Sequence, residues 1–143
     1  MKLYHGGAPG FRPGGLITPH EAKRVDGCPW CESGADDSHR PDRVFATTMR
    51  LYGRYYASKW IRGTLYIVRP NDDMEPSAED PFETYCAPSF TVVSVCEREI
   101  ELTMGQRRRL LRLWKEADLA HGLDIGPMAD MALERMFSGR TLT

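Results

Sequence analysis

Apolar residues never run for the ~18 consecutive positions that a membrane span requires. The first residues also lack the apolar stretch of a secretory signal, so the expected location is the cytoplasm. Charge of one sign is missing too. Lysine plus arginine number 19 against 20 aspartate plus glutamate, a formal net charge of -1 that removes any general electrostatic pull toward nucleic acid or an anionic membrane. Lysine itself is scarce, four residues out of those 19 basic ones. Internal repeats and low-complexity tracts are absent, which argues against a solenoid or an array. Cysteine is limited to Cys28, Cys31, Cys86 and Cys96. In a reducing compartment these are expected to be thiols or metal ligands rather than a disulfide framework.

What is present is a set of short β-like runs in a chain of 143 residues, long enough for one domain with a sizeable core. Residues 2–5 read as a strand that ends at Gly6-Gly7, 8–19 as a Gly- and Pro-rich loop, and 20–41 as a long polar connection. Residues 44–47 have the β-branched and aromatic content of a strand, and Thr48 offers an N-cap for a helix over 49–60. Residues 64–68 read as a buried strand, 69–87 as a polar, acidic loop, and 90–95 as strongly β. In 98–102, Ile100 and Leu102 alternate with charge, the pattern of a half-exposed strand. Thr103 opens a helix whose apolar face is Leu110, Leu111, Leu113 and Trp114, with Arg107, Arg108, Arg109 and Arg112 as its solvated side. A last helix is expected over 128–137. Strands first and mixed elements later place the chain in the α+β class.

Three segments carry chemistry. Tyr4-His5-Gly6-Gly7 sets an imidazole beside backbone without side chains, where a flat, hydroxyl-rich ligand can approach the main chain. Arg43-Val44-Phe45-Ala46-Thr47-Thr48 runs on to Tyr55-Tyr56. Gly63-Thr64-Leu65-Tyr66-Ile67-Val68-Arg69-Pro70 then leads into the acidic loop. In this order and spacing the segments resemble the NAD-dependent ADP-ribosyltransferases, closest in layout to the rifampin ADP-ribosyltransferases, and residues 3–95 carry the resemblance.

The resemblance implies a split β-sheet with an NAD cleft over residues 1–102 and a C-terminal helical extension over 103–143 packed on it. It implies transfer of ADP-ribose from NAD to an acceptor with release of nicotinamide. Tyr4, His5, Gly6 and Gly7 would anchor NAD, His5 through a ribose hydroxyl and Gly6 through the nicotinamide amide. Without that role, His5 is a strand-end histidine bonded to a neighbouring carbonyl. Phe45 falls where the family has a tyrosine against the nicotinamide ring; a phenyl face still stacks but offers no polar handle. Tyr55 or Tyr56 would form the second wall, the other serving the helix core. Thr47 and Thr48 stand at the strand end as ligand hydroxyls, or Thr48 as a helix cap.

Breaking the nicotinamide–ribose bond develops oxocarbenium character, which a nearby carboxylate stabilises. By position in the rifampin-type layout the acid is Asp80, with Glu79 and Glu75 behind it. Other branches of the family carry the acid on a later strand, which points to Glu97 or Glu99. The acceptor is a small molecule, a protein side chain or a nucleic-acid base, set by loops without a readable code.

Cys28-Pro29-Trp30-Cys31 has zinc-knuckle spacing, and His20 and His39 are near enough in sequence to complete a structural zinc set. The paired histidine spacing of a finger is absent, so two free thiols in a turn are the other reading. Cys86 and Cys96 lie in β-like sequence as small apolar residues. Three rivals to the transferase stay open: a catalytically inactive NAD- or nucleotide-binding module of the same fold, an interaction protein built on a zinc-held loop, and hydrolysis of NAD with water as the acceptor. The arginine-rich coding bias and the resemblance together suggest a bacterial or phage origin.

Overall fold

The β-like runs pair into one antiparallel sheet. In a computed structural model that describes residues 1–19, 42–77 and 80–120, the strands are β1 (Leu3–Gly7), β2 (Leu16–Ile17), β3 (Val44–Thr47), β4 (Thr64–Pro70), β5 (Glu75–Pro76), β6 (Thr84–Ala87) and β7 (Phe90–Glu97). Their spatial order is β2-β7-β4-β1-β3-β6-β5. Two helices, α1 (Arg50–Ala57) and α2 (Met104–Ala120), complete the elements among the described residues. The class is α+β, as expected, and none of the described helices is long and apolar enough to cross a membrane.

Alternation along the strands decides the two faces of the sheet. Leu3, Val44, Ala46, Tyr66, Val68, Ala87 and Val92 share one buried cluster with Ile17 and Phe90. Tyr4, Gly6, Thr47 and Leu65 belong to the opposite face, where α1 lies. The sheet is unevenly held together. β1 and β4 share five registered pairs, from Leu3↔Val68 to Gly7↔Thr64, whereas β1 and β3 share one, Tyr4↔Thr47. The centre of the sheet is therefore a seam between two better-paired halves.

Helix α1 sits on this seam at backbone contact. A Cβ on Gly6 would stand 1.9 Å from the Gly53 carbonyl oxygen and 2.6 Å from the Ala57 nitrogen. A Cβ on Gly53 would stand 2.9 Å from a Leu65 methyl and 3.2 Å from the Tyr4 Cβ. Gly6 and Gly53 are thus where strand and helix meet without side chains between them. On its other side α1 presents Tyr52 and Tyr55, which cluster with Leu102 and Leu110, with Phe82, Leu111 and Trp114 packed against them. Trp114 of α2 meets Tyr52 edge-on at 5.5 Å and Tyr55 at 6.1 Å. This is how α2 attaches to the sheet-bearing part.

Several boundaries differ from the sequence reading, each for a physical reason. β1 runs through Gly6 and Gly7 because β4 pairs with both. α1 is shorter than 49–60, and its N-cap is Met49, not Thr48. Met49 makes no side-chain cap; the Thr47 hydroxyl accepts from the Met49 N–H at 3.1 Å instead. Residues 69–87 are not one loop: β4 extends to Pro70, and β5 and β6 form there, since β6 pairs with β3 across four residues. Residues 98–102 are not a strand. Ile100 and Leu102 are both buried, and the Ile100 N–H donates to the Gly63 carbonyl rather than to a ladder. Arg107 is not on the solvated side of α2: it is 8% exposed, on the same helical stripe as Leu110, Leu111 and Trp114. The start of α2 is as expected. Thr103 and Gln106 form a reciprocal capping box, with the Gln106 N–H on the Thr103 hydroxyl at 3.1 Å and the Thr103 N–H on Gln106 Oε1 at 2.9 Å. The helix expected over 128–137 lies outside the described residues.

Candidate functional site

The sequence-derived candidates gather in two places, linked by α1. The first is the seam. His5 lies one residue past the single β1–β3 pair, and its Nδ1 is 2.7 Å from the Phe45 carbonyl oxygen. A carbonyl only accepts, so Nδ1 carries the proton, and in the neutral ring Nε2 is then the acceptor nitrogen. The ring leans over Gly7: a Cβ there would stand 2.9 Å from Nε2. Gly7 therefore leaves room for the imidazole. Gly6 is glycine for a different reason, the contact with α1.

Phe45 is half-buried and stands outside the apolar cluster that takes its neighbours Val44 and Ala46. Register places it on the α1 face of the sheet, opposite Cys86 of β6. It is not a core strand residue, and its main-chain carbonyl is what orients His5. Tyr4, one residue before His5, is half-buried and packs against Ala57, Leu65 and Ile100.

The second grouping surrounds Asp80. The Tyr52 hydroxyl donates to Asp80 Oδ1. The Ser77 hydroxyl donates to Asp80 Oδ2 at 2.5 Å. The Tyr52 and Tyr56 hydroxyls are 3.0 Å apart. Tyr52 is 1% exposed, and its phenol is held well above its ordinary range by burial first, then by the neighbouring Tyr56 and Asp80. It therefore stays protonated and able to donate to the carboxylate. The Lys59 ammonium lies over the rings of Tyr55 and Tyr56, 4.8 and 4.6 Å from their centroids.

Of the two tyrosines expected to compete for the pocket wall, Tyr55 is fully in the α1–α2 core, at 1% exposure. Tyr56 is half-buried at the edge of the same cluster, within the hydroxyl chain that ends on Asp80. Thr47 is 3% exposed and its hydroxyl is committed, donating to the Glu83 carbonyl at 2.8 Å while accepting from Met49. The Thr48 N–H donates to the same Glu83 carbonyl at 3.2 Å. Together these bonds tie the β3–α1 corner to the segment that follows Asp80.

The alternative acids have other tasks. Glu75 is exposed on the edge strand β5 and pairs with Arg43 at 3.8 Å. Glu97 accepts from Arg50 at 2.9 Å and lies 3.3 Å from Arg54, the two arginines one turn apart on α1. That carboxylate fastens α1 to β7, two strands away from β1. Glu99 is exposed, has φ 49°, and faces Arg62 at 3.9 Å. Glu79, His20, Cys28, Cys31 and His39 lie outside the described residues. Among the described residues no three His, Cys, Asp or Glu side chains converge as a metal site. Cys86 is buried and Cys96 half-buried, and neither is in a disulfide among the described residues.

Two residues belong to this arrangement that sequence reasoning did not single out, Tyr52 and Ser77, and Trp114, expected on the apolar face of α2, packs against the first of them. The spacing of Tyr52 and Tyr56, four apart on a helix, is the one signal that pairs any of them in advance. No family model matches this chain, and no curated protein matches it.

Proposed function

We propose that this chain is a mono-ADP-ribosyltransferase, moving ADP-ribose from NAD to an acceptor and releasing nicotinamide. The observation that carries the reading is the state of His5. It stands at the seam of the sheet with Nδ1 bonded to the Phe45 carbonyl at 2.7 Å, which fixes the neutral form in which Nε2 is the acceptor nitrogen, the form that binding a ribose hydroxyl would require. Phe45 is half-buried on the α1 face, which strand alternation makes the face opposite to the His5 side chain, and it enters this reading through its main-chain carbonyl.

In this reaction the bond between the ribose carbon and the nicotinamide nitrogen breaks. Its electron pair leaves with nicotinamide, which loses its positive charge. The ribose carbon gains oxocarbenium character and is taken by the acceptor nucleophile, whose proton is lost to a base or to water. Asp80 is the acid we assign to stabilise that charge, since it is held as a hydrogen-bonded carboxylate while Glu97 is consumed by two arginines.

One observation favours a second reading, a nucleotide-binding module without turnover. Both Asp80 oxygens already accept hydroxyl protons from the chain itself, and Phe45 lacks the hydroxyl of the family's tyrosine. Calorimetric titration with NAD, with nicotinamide followed by chromatography in the same samples, separates the two. Transfer predicts release that is lost in His5→Ala and in Asp80→Asn. Binding without release supports the module, and no binding at all removes both.

A further inference from the structure

We propose that Tyr52 is a positioning residue for Asp80, its hydroxyl clamped between α1 and α2 so that the carboxylate keeps the orientation ADP-ribose transfer uses. The inference rests on the transfer reading above. A carboxylate on a connection between two short strands ordinarily exchanges among rotamers in water. Here it does not stand alone, because Tyr52 donates to Oδ1 and Ser77 to Oδ2.

The chain of hydroxyls has a direction. A carboxylate only accepts, so the Tyr52 proton points to Asp80. In the 3.0 Å contact between Tyr52 and Tyr56, Tyr52 must then be the acceptor and Tyr56 the donor. The order is Tyr56 to Tyr52 to Asp80, with each donor polarising the next. Tyr52 is the rigid link. Its ring lies 5.0 Å from those of Tyr56 and Phe82 and 5.5 Å from that of Trp114, and it stacks on Tyr55 at 6.5 Å. Contacts from α1, from α2 and from the segment after Asp80 thus all bear on where its hydroxyl sits. Trp114 also meets Phe82 at 6.1 Å, so α2 braces both the donor and the backbone two residues beyond the acid. By this route the C-terminal helix contributes to the site through Tyr52, with no contact of its own to the reacting atoms required.

The test is steady-state nicotinamide release by the full chain and by Tyr52→Phe, Asp80→Asn and the double variant. Tyr52→Phe keeps the ring and its packing while removing the donor. It is expected to lower kcat about 10- to 100-fold, the range of one charge-assisted hydrogen bond, with KM for NAD nearly unchanged. The double variant is expected to fall no further than Asp80→Asn, since the two residues act as one unit.

A second measurement reads the link without turnover: ultraviolet titration of tyrosine ionisation. The titratable groups facing Tyr52 are Tyr55 and Tyr56 from α1 and Asp80, with Lys59 over the two neighbouring rings. Removing the Asp80 charge should let the most resistant phenol ionise at lower pH, though still above the ordinary value because burial persists. A well-folded Tyr52→Phe with wild-type kcat overturns the proposal, as does a resistant phenol unmoved in Asp80→Asn. If the wild-type chain releases no nicotinamide, the transfer reading falls and the positioning role with it. That outcome is distinct from an active chain whose Tyr52→Phe variant is equally active.

Discussion

His5 and Phe45, 40 residues apart in the chain, meet across the seam of the sheet through a 2.7 Å hydrogen bond from the imidazole Nδ1 to the backbone carbonyl. The bond uses the main chain of Phe45, so it survives substitution of the phenyl ring. It also selects the histidine tautomer. The carbonyl bond of a strand-end histidine is therefore compatible with the ligand-binding role proposed for His5.

The room for that ring is made by Gly7. In Gly7→Ala the new methyl would stand 2.9 Å from Nε2, so the ring must shift, which strains its bond to the Phe45 carbonyl. We expect a loss of stability of about 1 kcal/mol, from one strained or broken hydrogen bond. NAD affinity should fall more than the melting temperature suggests. Calorimetric titration beside thermal melting checks the two separately.

Gly6→Ala should act on folding itself. Its methyl would land 1.9 Å from the Gly53 carbonyl and 2.6 Å from the Ala57 nitrogen, both of them backbone atoms that no rotamer change can move. Helix α1 would have to leave the sheet, at a cost of roughly 3 kcal/mol or more. Denaturant unfolding should show a lower midpoint. An unchanged midpoint would mean that α1 does not rest on β1 as described.

Glu97→Gln separates a structural carboxylate from a catalytic one. The group is 29% exposed and shared by Arg50 and Arg54, so its loss should cost about 1 kcal/mol or less after solvent screening, and less at high salt. Nicotinamide release should persist in this variant if Asp80 is the acid. Loss of release in a stably folded Glu97→Gln chain would transfer the role to Glu97.

Alkaline stability should depend on Tyr52. Its folded-state pKa is raised, with burial as the first cause, while in the unfolded chain the phenol titrates at about 10. The stabilising contribution is fully present below that unfolded value. It is lost progressively as pH rises from there toward the folded value, because the unfolded state then releases the proton first. Wild type should lose stability above this point more steeply than Tyr52→Phe, a comparison in which the other tyrosines cancel. Unfolding midpoints at pH 8 and at about pH 11 give the test.

Local patterns reached a long way into this fold. The β-branched runs of 44–47, 64–68 and 90–95 became strands, and Thr103 opened a helix, because propensity and capping act between residues close in sequence. The α+β class followed from element order. The local reading failed where a distant partner decided the outcome. β6 forms from polar sequence because β3 offers a free edge. Ile100 and Leu102 both turn inward, one toward Ala57 and Leu65 and the other into the α1–α2 cluster. Arg107 is buried on the stripe that packs inward. The site divides in the same way. His5, Phe45 and Asp80 were legible as residue types in order along the chain. Tyr52 was not, since a hydroxyl aimed at a carboxylate 28 residues away leaves no spacing rule in the sequence. Through short-range preferences the sequence by itself determined the strands within 44–47, 64–68 and 90–95 and the start of α2. Only the tertiary structure decided which carboxylate is held, by which hydroxyl and against which helix, because those bonds depend on register and packing between distant segments.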